Sequence, residues 1–136
     1  AVSEFGVYDY IKPEAKYKDS RLDFYMEKGE EKIWLEVKGC TLTIGKAAMF
    51  PDAPTKRGLK HLRELEELSR ENKAAILILI FRKSEYFMPN FETDPEFSEK
   101  LIEISKKGVG VYPIQLEFTD GKIFYRGIIP LCSKNL

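Results

Sequence analysis

Ser20-Arg21-Leu22-Asp23-Phe24-Tyr25-Met26 and Ile33-Trp34-Leu35-Glu36-Val37-Lys38-Gly39 lie on either side of the polar turn Glu27-Lys28-Gly29-Glu30-Glu31. How these two runs pair decides the fold. Both alternate apolar and polar residues, and the turn between them is short and glycine-containing, so they read as two antiparallel strands of a hairpin. Leu22, Phe24 and Met26 fall on one face of the first strand, and Ile33, Leu35 and Val37 on one face of the second. Successive side chains point to opposite faces, which leaves Asp23, Glu36 and Lys38 together on the other. With the turn centred between Gly29 and Glu30, Asp23 stands directly across from Glu36. Opposed residues have Cβ atoms about 5 Å apart, and like charges there repel. A divalent cation bridging the two carboxylates would remove that repulsion. Taken alone, the same three residues also fit a solvated sheet face carrying a cross-strand ion pair.

Outward from the hairpin, Glu14 to Tyr17 reads as a short preceding strand and Thr41 to Ile44 as a short extended piece turning at Gly45-Lys46. Phe50-Pro51-Asp52-Ala53-Pro54 is a rigid loop, because each proline fixes its own φ and restrains the residue before it. Thr55 caps a helix running to about Asn72, with Leu59, Leu62 and Leu65 along its apolar side. Ala74 to Arg82 has no polar alternation, as expected of a strand covered on both faces. Asp94 to Lys107 reads as a second helix, with Pro95 in its first turn and Gly108 ending it. Val109 to Phe118 and Lys122 to Leu131 pair across an Asp120-Gly121 turn. The predicted order is β-β-β-α-β-α-β-β, an α/β fold with a mixed central sheet flanked by helices.

Composition sets the limits. The chain has 136 residues, with 22 Lys and Arg balancing 22 Asp and Glu. That length makes one domain with a full core, read as residues 1–136. Charge neutrality argues against coating nucleic acid by bulk charge while leaving local basic patches open. Cys40 and Cys132 fit no metal or redox spacing and read as reduced thiols of a cytoplasmic protein. No apolar run approaches the ~20 residues that span a bilayer, so no membrane partner is expected. The first residues carry no signal pattern, and Phe5, Val7, Tyr8, Tyr10 and Ile11 are too apolar for a disordered tail. Without an initiator Met, the chain reads as a fragment or a processed product.

An acid on one strand, Glu-x-Lys on the next, then a helix and a buried strand resemble the PD-(D/E)XK nuclease fold, with Asp23, Glu36 and Lys38 in the motif positions. The surrounding words are more specific. Ser20-Arg21-Leu22-Asp23-Phe24, Glu36-Val37-Lys38-Gly39-Cys40-Thr41-Leu42, Phe50-Pro51-Asp52-Ala53-Pro54-Thr55 and Arg57-Gly58-Leu59-Lys60-His61-Leu62 resemble the sugar fermentation stimulation protein A family. So do Met88-Pro89-Asn90, Asp94-Pro95-Glu96-Phe97 and Gly108-Val109-Gly110-Val111. In that family an OB-fold domain precedes a nuclease-like half, so the resemblance implies the C-terminal domain alone, with the OB-fold domain absent here. It also implies DNA as partner, with RNA as the alternative.

The chemistry implied is metal-dependent phosphodiester hydrolysis. Mg²⁺ or Mn²⁺ held by Asp23 and Glu36 would lower the pKa of a bound water and neutralise phosphate charge. The fold resemblance adds the Val37 carbonyl as a hard oxygen ligand and Glu14 as a further acid, with Glu4 a weaker candidate. Lys38 would orient the water or stabilise developing charge. Arg21, Lys56, Arg57, Lys60 and His61 are the nucleic-acid-binding candidates. Lys56, Arg57, Lys60 and Arg63 fall in the first turns of the helix, where free backbone N–H groups also favour anions. Arg57 and His61, four apart, share a helix face. His61 is expected to make a hydrogen bond or a phosphate contact rather than to bind metal. Against this, Glu64, Glu66, Glu67 and Glu71 follow, so the helix also reads as a solvated surface of mixed charge. The expected function is a nuclease-like DNA-binding domain. The alternatives are a non-catalytic DNA-binding regulator linked to sugar metabolism and a sugar-responsive regulator.

Overall fold

The computed structural model describes residues 8–133. Its centre is a six-stranded sheet in the order β1-β2-β3-β6-β8-β9. Strands β1 (Tyr10–Tyr17), β2 (Ser20–Lys28) and β3 (Glu31–Cys40) form an antiparallel meander. β3 then pairs in parallel with β6 (Lys73–Ile80), and β6 with β8 (Gly110–Thr119). β9 (Lys122–Ile128) returns antiparallel to β8 across the Asp120-Gly121 turn. Both turn residues have positive φ, 53° and 73°, as a two-residue hairpin turn of this kind requires.

Helices α1 (Lys56–Leu68) and α2 (Pro95–Ser105) make the parallel crossovers and pack on one face of the sheet. Thr55 caps α1 by accepting from Gly58 N, and Asp94 caps α2 by accepting from Phe97 N. Leu62 and Leu65 of α1 and Phe97, Leu101 and Ile104 of α2 meet Ile76, Ile78 and Ile80 of β6 in the main core. Alternate β6 residues, Ala75 and Leu77, face the opposite side with Met26, Ile33, Leu35 and Ile114. The strand is thus covered on both faces, as its unbroken apolar run implies.

A second sheet was not foreseen. β4 (Leu42–Ile44), β5 (Ala47–Phe50) and β7 (Tyr86–Pro89) form it in the order β4-β5-β7. β5 and β7 are four residues each, too short to show a period, and each runs into a proline turn. The pairing is settled by non-local contacts, with Ala47↔Tyr86 through Phe50↔Pro89 in parallel register.

One expected face is broken. Leu22 packs in the helix-side core with Cys40 and Leu62, whereas Phe24 and Met26 belong to the opposite cluster. The regular alternation fails at Asp23. Across from it in β1, Glu14 takes φ 50° between the Pro13↔Phe24 and Ala15↔Leu22 pairs. Positive φ in a non-glycine residue interrupts the extended backbone.

Among the described residues, no helix is long and apolar enough to cross a membrane. Cys40 and Cys132 are both free thiols. Cys40 is buried, its Sγ donates to Met49 O at 3.2 Å, and burial pushes its pKa up to about 11, so it is an inert core thiol.

Candidate functional site

The β2–β3 register runs from Lys28↔Glu31 at the turn to Phe24↔Leu35. The next position brings Asp23 to Glu36. There the backbone ladder gives way to side chains. Asp23 N donates to Glu36 Oε1 at 3.2 Å, and Val37 N donates to Asp23 Oδ2 at 2.7 Å. Each carboxylate therefore has one oxygen fixed by the other strand's backbone. A charged acceptor makes such bonds about twice as strong as neutral ones.

Glu36 is the centre of the group. It is 2 % exposed, which is rare for a glutamate. Its Oε2 faces Lys38 Nζ at 3.2 Å and is hydrogen-bonded with His61 Nδ1. Burial, and secondarily Asp23, raise the Glu36 pKa to about 7, against the opposing pull of Lys38. Burial, with Lys38 next, lowers the His61 pKa. Desolvation thus acts on both partners in the direction that favours the uncharged pair.

The topology explains the assembly. Glu36 and Lys38 are two apart on β3 and lie beside Ile76 and Ile78 of β6. Those isoleucines belong to the helix-facing side, so Glu36 and Lys38 look toward α1. His61, in the second turn of α1, closes over Glu36 from above. Of the two roles expected for His61, the hydrogen bond is the one observed, and at 4 % exposure it is not a surface group. Lys38 is more open, its side chain 21 % exposed.

The remaining candidates divide. Glu14 is exposed and lies in β1 at the position facing Asp23. Arg21, Lys56, Arg57 and Lys60 are exposed. Lys60 pairs with Asp19 in the β1–β2 turn at 3.1 Å, and Glu67 pairs with Lys18 of the same turn at 2.7 Å. These two bridges strap the turn to α1. Glu4 lies outside the described residues. Glu64, expected on a solvated helix face, is instead 5 % exposed, and its Oε1 has no hydrogen-bond partner among the described residues. Sequence could not have distinguished it from Glu66 or Glu67. Only its spacing of three from His61 puts it on the same helix side.

Two carboxylates and a backbone carbonyl are the hard oxygen donors that Mg²⁺ or Ca²⁺ takes. Among the described residues, no three His, Cys, Asp or Glu side chains form a preassembled metal cluster. A two-carboxylate site of this kind fits Mg²⁺, which keeps several waters and is commonly bound by one or two carboxylates together with substrate phosphates. A cation would also offset the Asp23–Glu36 repulsion that contributes to the raised Glu36 pKa. A cavity of about 550 Å³ opens elsewhere, among Tyr8, Lys28, Glu31, Lys73, Gly110 and Tyr112, and no candidate site residue lines it.

Residues 1–122 match the family model described as the sugar fermentation stimulation protein RE domain. A sugar fermentation stimulation protein homolog of Thermosipho melanesiensis is 46 % identical over 125 residues, covering 91 % of this chain and 55 % of that protein. A homolog from Methanococcoides burtonii is 44 % identical over 124 residues, covering 90 % of this chain and 50 % of the relative. The structure of Pyrococcus furiosus SfsA in complex with Ca²⁺ superposes with a TM-score of 0.83 at 33 % identity, over 88 % of this chain and 53 % of that one. The chain spans about half the length of these relatives. With a family model matching residues 1–122 and relatives 44–46 % identical over about nine tenths of its length, this chain belongs to the sugar fermentation stimulation protein family.

Proposed function

We propose that this chain is a divalent-cation-dependent nuclease-like domain of the PD-(D/E)XK type, binding nucleic acid and hydrolysing phosphodiester bonds, with DNA as the first substrate class to test. The observation that carries it is the buried Glu36, joined to Asp23 by reciprocal carboxylate–backbone bonds and to Lys38 by an ion pair. A strand face built only for packing would not bury an acid beside another acid. The relative from Pyrococcus furiosus is described in complex with Ca²⁺, which supports a cation on the same fold.

Asp23, Glu36 and the Val37 carbonyl would hold Mg²⁺ or Mn²⁺, with Glu14 as a further acid. When bound, the ion supplies a more acidic water and neutralises phosphate charge. The chain's own residues do the rest. The backbone bonds hold the carboxylates in place, so little reorganisation is needed on binding. The Lys38 ammonium, between buried Glu36 and solvent, contacts the phosphate that is cleaved. Arg21, Lys56 and Arg57 attract the phosphate backbone toward the carboxylates. His61 holds Glu36 from the helix side.

A second reading, a non-catalytic DNA-binding regulator, draws on the engagement of both Glu36 carboxylate oxygens, by Asp23 N on one and by Lys38 and His61 on the other. The test incubates the protein with single- and double-stranded DNA and RNA in Mg²⁺, Mn²⁺ or EDTA, with Lys38→Ala alongside. Metal-dependent cleavage lost in Lys38→Ala supports the nuclease. Binding without cleavage under any metal selects the regulator.

A further inference from the structure

The β8–β9 hairpin closes the six-stranded sheet with an apolar edge. Of the nine exposed large apolar side chains among the described residues, five belong to it: Phe118, Ile123, Phe124, Tyr125 and Ile128. Ile123 is 60 % exposed and Phe118 67 %. Along β9 every residue but Gly127 is exposed, so apolar groups project from both faces of the strand. An edge strand offers a row of backbone groups to any second strand, and proteins ordinarily blunt it with charge, proline or a bulge. The opposite edge, β1, is blunted in this way. It carries Lys12, Pro13 and Lys16, and Glu14 breaks its extension with φ 50°. From Ile123 to Tyr125, β9 has none of these devices. The charge of Arg126, next along, is met by Glu117 at 3.0 Å from Nε.

The backbone of β9 is aimed for a partner. Thr119 and Lys122 flank the two-residue turn and form the closing pair of the hairpin. Antiparallel strands alternate in the direction of their hydrogen-bonding groups. Lys122 and Phe124 therefore turn N–H and C=O toward β8, whereas Ile123 and Tyr125 turn theirs away from it.

We propose that β9 pairs antiparallel with β9 of a second copy of this chain, joining the two sheets edge to edge about a two-fold axis. Charge selects the register. With the axis at Tyr125, Phe124 stands opposite Arg126 of the second copy, and Ile123 opposite Gly127. Arg126 already lies over the Phe124 ring of its own chain, 5.2 Å from the centroid, so across the seam the same cation–π contact recurs. Moving the axis to Phe124 opposes Lys122 with Arg126, and moving it to Arg126 opposes that residue with itself. Like charges directly opposite destabilise a strand pair. With exposed aromatic and aliphatic groups of this size, the hairpin offers on the order of 500 Å² per copy. The pair then reaches about 1,000 Å², the threshold of a specific interface, so a dissociation constant in the micromolar range is expected. The blunted β1 edge stops the assembly at two.

Sedimentation velocity from about 1 μM to 1 mM spans that range, and the mass is expected to rise toward twice that of one chain. Amide hydrogen exchange followed by NMR should slow with concentration at Ile123 and Tyr125, whose N–H groups enter the seam. Exchange at Phe124, already bonded to β8, should not change. Ile123→Lys puts a charge on an exposed position, so the monomer should keep its thermal midpoint while association weakens roughly tenfold or more. Phe124→Lys, which opposes Arg126 of the second copy, should do the same and serves if the first variant does not fold. A parent protein that stays monomeric throughout overturns the proposal and leaves the edge to a different partner. So does a dimer that survives both substitutions, an assembly that grows beyond two copies, or association without the alternating slowed exchange.

Discussion

At the scale of single residues, Asp23 does two jobs that mutation can separate. Its carboxylate accepts the Val37 N–H at 2.7 Å, and in the proposed function it also holds the cation. Asp23→Asn retains a carbonyl oxygen for Val37 and loses the charge. Asp23→Ala loses both, leaving a part-buried N–H without its acceptor, at a cost of about 1–3 kcal/mol. Urea denaturation should therefore separate the variants, with alanine clearly less stable than asparagine. Calorimetry should show both losing Mg²⁺ affinity. Equal affinity in the parent and Asp23→Asn would move the cation elsewhere. Much of this pair was legible beforehand, because the Gly29-Glu30 turn fixes which residues oppose. The His61 contact was not. Its partner is 25 positions away in sequence, and nothing local to His61 says which strand α1 will cover.

At the scale of elements, the start of α1 depends on a glycine for space rather than for φ. A Cβ at Gly58 would lie 2.8 Å from Thr55 Oγ1, 2.9 Å from Thr55 Cγ2 and 3.1 Å from Phe97 Cε2. Alanine is favoured over glycine in a helix interior by about 1 kcal/mol. Here it would displace the capping threonine, whose loss costs about 1 kcal/mol in typical cases, and press on the α2 core as well. Gly58→Ala should lower the thermal midpoint; a rise would mean that Thr55 and Phe97 move aside freely.

The two helices are also joined by charge. Lys100 Nζ meets Glu66 Oε1 at 2.6 Å, and Lys107 lies 3.5 Å from Glu66 Oε2. The hydrogen bond from Lys100 lowers the Glu66 pKa. A depressed carboxyl pKa stabilises the fold above its unfolded value, and that contribution disappears as pH falls through the folded value. Below pH ~4.5 the protein should lose this increment while Glu66→Gln, lacking it throughout, should not. The difference should stay below about 1 kcal/mol, because the pair is near the surface. Equal acid slopes of stability in both proteins would show that the bridge contributes nothing.

At the scale of the whole molecule, the proposed function requires a chain of zero formal net charge to gather a polyanion. Lys56, Arg57 and Arg21 are exposed, whereas Lys60 is engaged by Asp19. Neutralising Lys56 and Arg57 together should weaken DNA binding and reduce its salt slope by close to 0.9 per lost phosphate contact. Asp19→Asn should have the opposite effect, freeing Lys60 and tightening binding at low salt. Titrations at several salt concentrations decide both. An unchanged slope in the double variant would place the nucleic-acid surface elsewhere.

The sequence by itself determined the hairpin, its register, the covered strand β6, the Thr55 cap and the Asp120-Gly121 turn. Each depends on a local period or on a residue with a narrow conformational range, and these act within a few positions. The tertiary structure alone decided three things. It paired β5 with β7, because four-residue strands have no readable period. It moved Leu22 to the helix side, because the alternation breaks where Glu14 takes positive φ across from Asp23. It buried His61 and Glu64, because burial depends on which side of α1 meets the sheet, and polar residues on that side look the same in sequence as polar residues facing water.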